Sequence, residues 1–230
     1  MPFDPKRTIR DRRRGTHTHS GRHQRRFGPS HPNEYSGTLC PRNHVSNFIN
    51  PMSDSPIYIV DLDVTLEDAP AFASSGMSWM EAMCIAVRAP GAEVAFSPVS
   101  HAPAPGIARW AKWVNERSTN GIGAIVGRRV YNAGSQKVEA LRCPCCSAEH
   151  VAASLSWQEM ISAWYSGERG ALECPSCRQS DSINQWRFLP LAWGLGNLAF
   201  GFDGPGVDDA LALELGKVLG HRMVVVVDKF

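Results

Sequence analysis

Five of the seven cysteines fall into two closely spaced groups. The sequence Cys143-Pro-Cys145-Cys146 is followed, after 27 residues, by Cys174-Pro-Ser-Cys177. Each Cys-x-x-Cys turn can hold two thiolates close together, and two such turns complete the tetrahedral four-sulfur shell that Zn²⁺ accepts. The spacing therefore predicts one zinc site with four ligands: Cys143, Cys146, Cys174 and Cys177. A redox dithiol and unrelated core cysteines are the alternatives.

A zinc ion held by four cysteines has no open coordination position, so its role is structural rather than catalytic. Its binding free energy then stabilises a segment that has too little apolar core of its own. Pro144 and Pro175 lie inside the two turns, where a fixed φ suits the tight backbone. Cys145 could replace Cys143 or Cys146 as a ligand, but the spacing favours the outer pair.

Two acidic residues follow the first apolar run of the chain. The sequence Val-Asp61-Leu-Asp63-Val resembles the first motif of haloacid-dehalogenase-like phosphatases. The resemblance implies Asp61 as nucleophile, Asp63 as acid and base, and Mg²⁺ as the metal. Ser97 would then bind phosphate, and Asp208 and Asp209 would be the late acidic residues.

Three features depart from that phosphatase pattern. Val64 stands where the family has glycine. The phosphate-binding lysine of the family lies on a core helix, whereas Lys137 lies in a hairpin within residues 120–188, which are predicted to be an insert. Too few parallel βα units remain for a Rossmann-like core. The alternative interpretation of Asp61 and Asp63 is a strand end with solvated or capping carboxylates.

Basic residues near the cysteine groups support a third hypothesis, a nucleic-acid-binding zinc ribbon. They are Arg128, Arg129, Lys137, Arg142, Arg169 and Arg178. Residues 52–230 nevertheless contain 14 Lys and Arg against 19 Asp and Glu, which is a net charge of −5. Because phosphate contacts dominate nucleic-acid affinity, this charge disfavours nucleic acid as the partner.

The apolar patterns on either side of the cysteines predict an α+β domain in two halves. The first half has a strand over 57–62, a helix with Ser78 and Glu81 as its capping box, and a strand over 93–97. The second half has a strand over 195–202, a helix that ends at Gly220, and a buried strand over 223–227. This repeated strand-helix-strand order predicts a ferredoxin-like split βαβ sandwich.

Residues 120–188 are predicted to be a zinc-ribbon-like insert between the two halves. A strand and a hairpin lead to the first cysteine group, and a helix between the groups begins at Ser156 and ends at Gly167. The predicted organisation is then an extension over 1–51, the first half over 52–119, the insert over 120–188, and the second half over 189–230.

Residues 1–51 differ in composition from the rest of the chain. They contain ten Lys and Arg against three Asp and Glu, and almost no periodic apolar pattern. Such a segment cannot bury enough apolar surface to offset its chain entropy, so we expect it to be disordered. Because Met52 leads directly into a strand, we interpret 1–51 as an extension upstream of the true start codon. A basic nucleic-acid-binding arm is the alternative.

The sequence contains no apolar stretch of membrane-spanning length. Its most apolar run, 223–227, has the length of a strand. The basic N-terminus is not followed by the apolar region of a signal peptide. We therefore expect a soluble, cytoplasmic protein without membrane contact.

Four segments resemble a family of small, functionally uncharacterised bacterial proteins. They are the Cys-Pro-x-Cys pairs, Trp186-Arg-Phe, Ala192-Trp-Gly-Leu-Gly-Asn-Leu-Ala-Phe-Gly-Phe202, and Leu-Gly-His-Arg-Met-Val-Val-Val-Val-Asp-Lys-Phe230. The resemblance covers residues 56–230 and implies no functional residues beyond the four cysteine ligands. Some members are labelled sugar ABC transporter ATPases. A P-loop ends in Gly-Lys-Ser/Thr, whereas Gly216-Lys217 precedes Val218 here, so this sequence does not support that label.

The sequence thus favours a structural-zinc protein that acts as a binding or adaptor module rather than as an enzyme. Its partner would be a protein or a small ligand. The predicted binding face includes the glycine-rich turn over 192–197 and the tryptophans.

Overall fold

The computed structural model of the protein describes residues 56–89, 93–94, 97–98, 101–114, 121–134 and 137–228. Within these ranges the fold is a mixed α+β structure with mostly antiparallel sheets. The predicted extension over 1–51 lies outside the described residues.

The elements before the cysteine groups are β1 (Ile57–Asp61), α1 (Ala69–Ala82), β2 (Ala86–Arg88), β3 (Glu93–Val94), β4 (Ser97–Pro98), β5 (His101–Pro103), a 3-10 turn (Pro105–Arg109), β6 (Ala111–Val114) and β7 (Gly121–Tyr131). Those around the cysteines are β8 (Ala140–Arg142), β9 (Glu149–Val151), a 3-10 turn (Ala152–Ser154), α2 (Trp157–Tyr165), β10 (Ala171–Glu173), β11 (Ser180–Ser182), a 3-10 turn (Ile183–Gln185) and β12 (Arg187–Leu189). The last elements are β13 (Gly194–Asp203), β14 (Pro205–Val207), α3 (Asp209–Leu219) and β15 (Met223–Val227).

A six-stranded sheet with the order β15-β1-β13-β7-β5-β2 forms the centre of the fold. Each neighbouring pair of strands in it is antiparallel. Helices α1 and α3 pack together and contribute to the same core as one face of the sheet. That core contains, among others, Ile59, Met77, Met80, Phe200, Phe202, Leu211 and Leu215. The alternation of apolar residues along β13 therefore places Phe200 and Phe202 against the helices.

The first helix begins earlier than the sequence predicted. Asp68 precedes it and Pro70 lies in its first turn, where proline is tolerated because the N–H groups there have no partner within the helix. Ser78 and Glu81 lie near its C-terminal end, so the predicted capping box was wrong. Glu81 instead forms an ion pair with Arg88 at 2.9 Å and a hydrogen bond with Nε2 of His101 at 2.7 Å.

Strand β7 corrects the predicted boundary of the insert. It pairs along its length with β13 in the six-stranded sheet, although the sequence placed it in the insert. The predicted strand over 93–97 is two short strands, β3 and β4, which pair with each other in a separate two-stranded sheet. The cysteine-containing segment between β7 and β13 therefore spans 132–193, and we call it the cysteine module.

Other predicted elements are confirmed, with local differences. Strands β1 and β13 and helices α2 and α3 occur where the apolar patterns placed them. Strand β15 lies at the edge of the sheet, and Val226 is its one buried residue, so the prediction of a fully buried strand was wrong.

The cysteine module has an apolar core of its own. Its larger members are Leu141, Trp164, Leu172, Ile183, Trp186 and Phe188, and Leu195 of β13 joins them. Arg128 of β7 lies with its guanidinium 4.8 Å from the ring of Trp164 and donates to the carbonyl of the same residue. Because Leu195 and Arg128 belong to the six-stranded sheet, the module is anchored to the end of the β7–β13 pair.

Candidate metal centre

The four predicted cysteine ligands lie together in the structure. All four Sγ atoms are within 4.8 Å of one another, with Cys143 and Cys177 3.9 Å apart and Cys146 and Cys174 3.7 Å apart. A tetrahedral shell with metal–sulfur bonds of about 2.3 Å requires sulfurs about 3.8 Å apart. The four thiols therefore lie close enough to bind one metal ion.

The two cysteine groups belong to an internal repeat with an offset of 31 residues. The segments 140–154 and 171–185 share Ala-Leu-x-Cys-Pro-x-Cys, and each folds as strand, cysteine turn, strand and 3-10 turn. Ala140 pairs with Val151 in the first copy, and Ala171 pairs with Ser182 in the second. The module thus builds its site from two equivalent halves.

Equivalent backbone hydrogen bonds hold both cysteine turns. In the first, Cys143 N–H donates to the carbonyl of Ala148 at 2.9 Å, and Ser147 N–H donates back to Cys143 at 3.1 Å. In the second, Cys174 N–H donates to Gln179 and Arg178 N–H donates to Cys174, both at 2.9 Å. Ser147 and Arg178 have positive φ values of 61° and 60°. The chain therefore leaves both cysteine turns through a residue in the left-handed region, Ser147 after Cys146 and Arg178 after Cys177.

Burial divides the four thiols into an inner and an outer pair. Cys143 and Cys174 are buried, whereas Cys146 is exposed and Cys177 is half-buried. Burial opposes ionisation of Cys174, but the amides of Cys177 and Ser176 and neighbouring side chains outweigh it and lower its pKa to about 6. Since metals bind the thiolate, this environment favours the ionised form of Cys174 that can act as a ligand.

Cys145 lies outside the group of four. It is exposed, and its backbone N–H approaches the Sγ of Cys143 at 3.4 Å. Its position is equivalent to that of Ser176 in the second copy, which is not a metal-ligating residue type. The outer pair of cysteines in the first group, favoured by spacing, is therefore the pair that meets the second group.

His150 is a neighbour of the site that the sequence reasoning missed. Its Nε2 lies 3.3 Å from the Sγ of Cys174. His150 belongs to the first copy of the repeat, and Cys174 belongs to the second. The internal repeat was the sequence signal that could have drawn attention to His150, because aligning the two copies places this histidine on the strand that follows the first cysteine turn. The sequence alone does not show which sulfur that strand faces.

The acidic pair proposed for phosphatase chemistry has structural partners. The side chain of Asp61 is fully buried, and its Oδ1 accepts the N–H groups of Asp63 and Val64, both at 2.9 Å. Its Oδ2 lies 2.7 Å from Nδ1 of His221, whose ring stacks on Phe72. Both carboxylate oxygens of Asp61 are therefore already hydrogen-bonded within the fold.

Asp63 joins the turn after β1 to the segment between α3 and β15. It accepts the backbone N–H of Arg222 at 2.8 Å and the Nε of the same residue at 3.1 Å. Arg222 also contacts Gln185 of the cysteine module, and Asn184 donates to the carbonyl of Leu62 at 3.0 Å. The turn after β1 therefore attaches the module to the six-stranded sheet and to the α3–β15 connection.

Among the described residues, Asp208, Asp209 and Lys137 are not hydrogen-bond partners of Asp61. Asp208 caps α3, because its side chain accepts the N–H groups of Ala210 and Leu211. Asp209 lies exposed in the first turn of the same helix, and Lys137 is exposed in the module. The side chain of Ser97 lies outside the description.

Acidic partners accompany three of the six basic residues proposed for nucleic-acid binding. Arg142 pairs with Glu149, Arg178 with Glu173 at 3.2 Å, and Arg169 with Asp181 at 3.9 Å. Residues 132–193 carry five Lys and Arg against six Asp and Glu, a net charge of −1. The module itself therefore has no positive excess, and Arg128 and Arg129, which lie beside it in β7, are outside this count.

The predicted binding face around 192–197 is largely internal. Gly194, Leu195 and Gly196 are buried in β13, and the side chains of Trp110, Trp164 and Trp186 are buried in the two cores. Trp157 and Trp193 remain half-buried, with their rings 5.7 Å apart and perpendicular.

No helix in the described ranges is long and apolar enough to cross a membrane. The predicted cytoplasmic location stays a prediction.

Compared with known proteins, the chain shows no significant match to a family model, a curated protein or a solved structure. The resemblance to the bacterial family with paired Cys-Pro-x-Cys turns likewise stays a prediction.

Proposed function

We propose that this protein holds one structural Zn²⁺ through Cys143, Cys146, Cys174 and Cys177, and that it acts as a binding or adaptor module rather than as an enzyme. The observation that carries the proposal is the group of four Sγ atoms within 4.8 Å of one another. Four thiolates and tetrahedral spacing suit Zn²⁺, and they leave no open position for substrate or water.

The zinc-ribbon-like and ferredoxin-like assignments belong to the same proposal. The two cysteine turns on paired short strands support a zinc ribbon. The strands β15-β1-β13-β7, read in chain order as fourth, first, third and second, support a ferredoxin-like arrangement with α1 and α3 as its crossover helices. Because that architecture hosts many functions, it does not by itself indicate a reaction.

The geometry disfavours the Mg²⁺-dependent phosphatase. Strand β1 has antiparallel neighbours on both sides, whereas the phosphatase family places its aspartates at the end of a parallel sheet. Asp61 is also buried against His221 and two backbone amides. We therefore propose a protein or small-ligand partner for the module, with nucleic acid disfavoured by the paired charges described above.

Metal content of the purified full-length chain tests the zinc site. We expect one zinc per chain by elemental analysis, and a loss of bound zinc in Cys143→Ser and Cys174→Ser. Cys145→Ser is the matched control, because it changes a cysteine in the same turn that lies outside the group of four. It should retain one zinc.

Two results would contradict the proposal. Wild-type protein that binds no metal in zinc-containing medium would exclude the structural zinc. Mg²⁺-dependent hydrolysis of p-nitrophenyl phosphate, lost in Asp61→Asn, would replace the adaptor function with the phosphatase.

A further inference from the structure

The two halves of the cysteine module are equivalent in their backbone but differ beside the sulfurs. Backbone amides two and three residues along the chain approach the first cysteine of each turn: Cys145 and Cys146 approach Cys143, and Ser176 and Cys177 approach Cys174. Cys174 has one more neighbour, the Nε2 of His150 at 3.3 Å.

The position equivalent to His150 in the second copy is Asp181. It pairs with Leu172 across the strands, as His150 pairs with Leu141. Asp181 pairs with Arg169, 3.9 Å away on the module surface, and its charge also acts on Arg222. Among the described residues, the first half of the repeat therefore places His150 beside the thiols, whereas its counterpart Asp181 pairs elsewhere.

We propose that His150 donates a hydrogen bond from Nε2–H to the metal-bound thiolate of Cys174 and slows the loss of the metal. The inference rests on the proposed zinc site. It assigns His150 as a positioning residue rather than a ligand, because the four sulfurs already complete a tetrahedral shell.

The direction of this hydrogen bond follows from the chemistry of the ligand. A thiolate bound to a metal carries no hydrogen, so the imidazole has to be the donor. Zn²⁺ with four thiolates is a doubly negative centre, and each donated hydrogen bond withdraws charge from a sulfur and stabilises the ionised ligand. Cys174 is fully buried, so water does not supply this donor in its place.

His150 lies on a paired strand beside the module core. Its ring lies 6.3 Å from that of Trp186, which is buried and belongs to the module core. Strand β9, which carries His150, is paired with β8 directly before the first cysteine turn. A side chain from the first half of the repeat, His150, thus contacts a cysteine of the second half, Cys174.

Zinc release to a chromogenic chelator from the full-length chain tests this assignment. His150→Leu removes the donor, and His150→Gln keeps an N–H donor on a side chain of similar reach. Loss of such an outer partner usually lowers metal affinity about 10- to 100-fold, and we expect this loss to appear as zinc release from His150→Leu that is faster than from wild type by about the same factor. His150→Gln should recover most of the difference.

Asp181→Leu is the matched control, because it makes a similar change at the equivalent position of the other copy. It should release zinc at the wild-type rate. In Co²⁺-loaded protein, the sulfur-to-cobalt charge-transfer absorption should move to lower energy in His150→Leu and stay in place in His150→Gln and Asp181→Leu. A change in packing alone would not produce this pattern.

The outcomes separate this inference from the proposed zinc site. Wild-type protein without bound metal would overturn both. One bound metal with equal release rates for wild type and His150→Leu would overturn the role of His150 alone. Release from His150→Gln as fast as from His150→Leu would also overturn it, as would equal acceleration by Asp181→Leu. A wild-type Co²⁺ spectrum that shows a nitrogen ligand would overturn the proposal as well, because His150 would then bind the metal directly and not donate a hydrogen bond to Cys174.

Discussion

At the scale of single residues, Asp61 and Asp63 hold the turn after β1 against two other parts of the fold. Asp61 meets His221, and Asp63 meets Arg222. A buried carboxylate that loses its partners is costly, because a charged group then remains away from water. These residues are therefore suited to fixing the position of the α3–β15 connection.

Asp63→Asn should reduce stability at neutral pH and weaken its dependence on pH in the acidic range. Burial opposes ionisation of Asp63, but hydrogen bonds and the charge of Arg222 outweigh it and lower the pKa of Asp63. A carboxyl group with a lowered pKa stabilises the fold above its unfolded pKa of about 4, and this contribution is lost as the pH falls below that value. Because the pair is partly exposed, we expect a loss of about 1 kcal/mol or less at neutral pH.

Urea unfolding over acidic to neutral pH measures this effect. Glu67→Gln provides the control. Like Asp63, Glu67 lies between β1 and α1, but its carboxylate is exposed and has no partner among the described residues. A stability profile for Asp63→Asn that runs parallel to wild type at every pH would show that the Arg222 pair does not couple to folding.

At the scale of elements, α3 and α1 depend on glycine for different reasons. Gly220 ends α3 with a φ of 73°, and a Cβ there would meet no atom within 4 Å. Gly76 lies inside α1, where a Cβ would come within 2.4 Å of the ring of Phe200. The first glycine provides a left-handed backbone and the second provides space between helix and sheet.

Substitutions at these two glycines should show opposite orders of stability. Gly220→Ala should lose about 1 kcal/mol through left-handed strain, and Gly220→Asn should lose less because asparagine adopts this conformation more readily. At Gly76 the larger side chain should be worse, so Gly76→Asn should be less stable than Gly76→Ala. Chemical denaturation of the four variants measures the order, and the same order at both sites would refute this distinction.

At the scale of the whole molecule, the cysteine module has a core separate from those of the six-stranded sheet. One face of the sheet packs with α1 and α3, a smaller apolar cluster lies on its other face, and the module core lies around Trp164, Trp186 and Phe188. Small segments with limited cores often depend on a metal for folding. The sheet and the module should therefore respond differently when the metal is removed.

Chelation of the metal should increase amide hydrogen exchange in 137–193 and leave β1 and β13 protected. The sheet is held by its own ladder and by the core beneath α1 and α3, whereas the module loses the ion that joins its two halves. Hydrogen exchange followed by mass spectrometry, before and after chelation and after zinc is restored, measures this. Equal loss of protection in β1 and in the module would instead indicate one cooperative unit.

The sequence by itself determined the features that depend on local spacing. Two Cys-Pro-x-Cys turns identified the four thiols, because tetrahedral coordination restricts which spacings work. Apolar periodicity located β1, β13, α2 and α3, and Gly220 marked the end of α3, since these elements follow from which residues must be buried.

The tertiary structure decided what depends on contacts between distant residues. It placed β7 in the six-stranded sheet, since strand pairing is a non-local choice that the pattern of one strand does not specify. It gave Asp61 and Asp63 their partners on residues 160 and 159 positions away, and it brought His150 to Cys174 across the repeat. A local motif names the side chains that can do chemistry, but folding chooses which of them meet and which are occupied elsewhere.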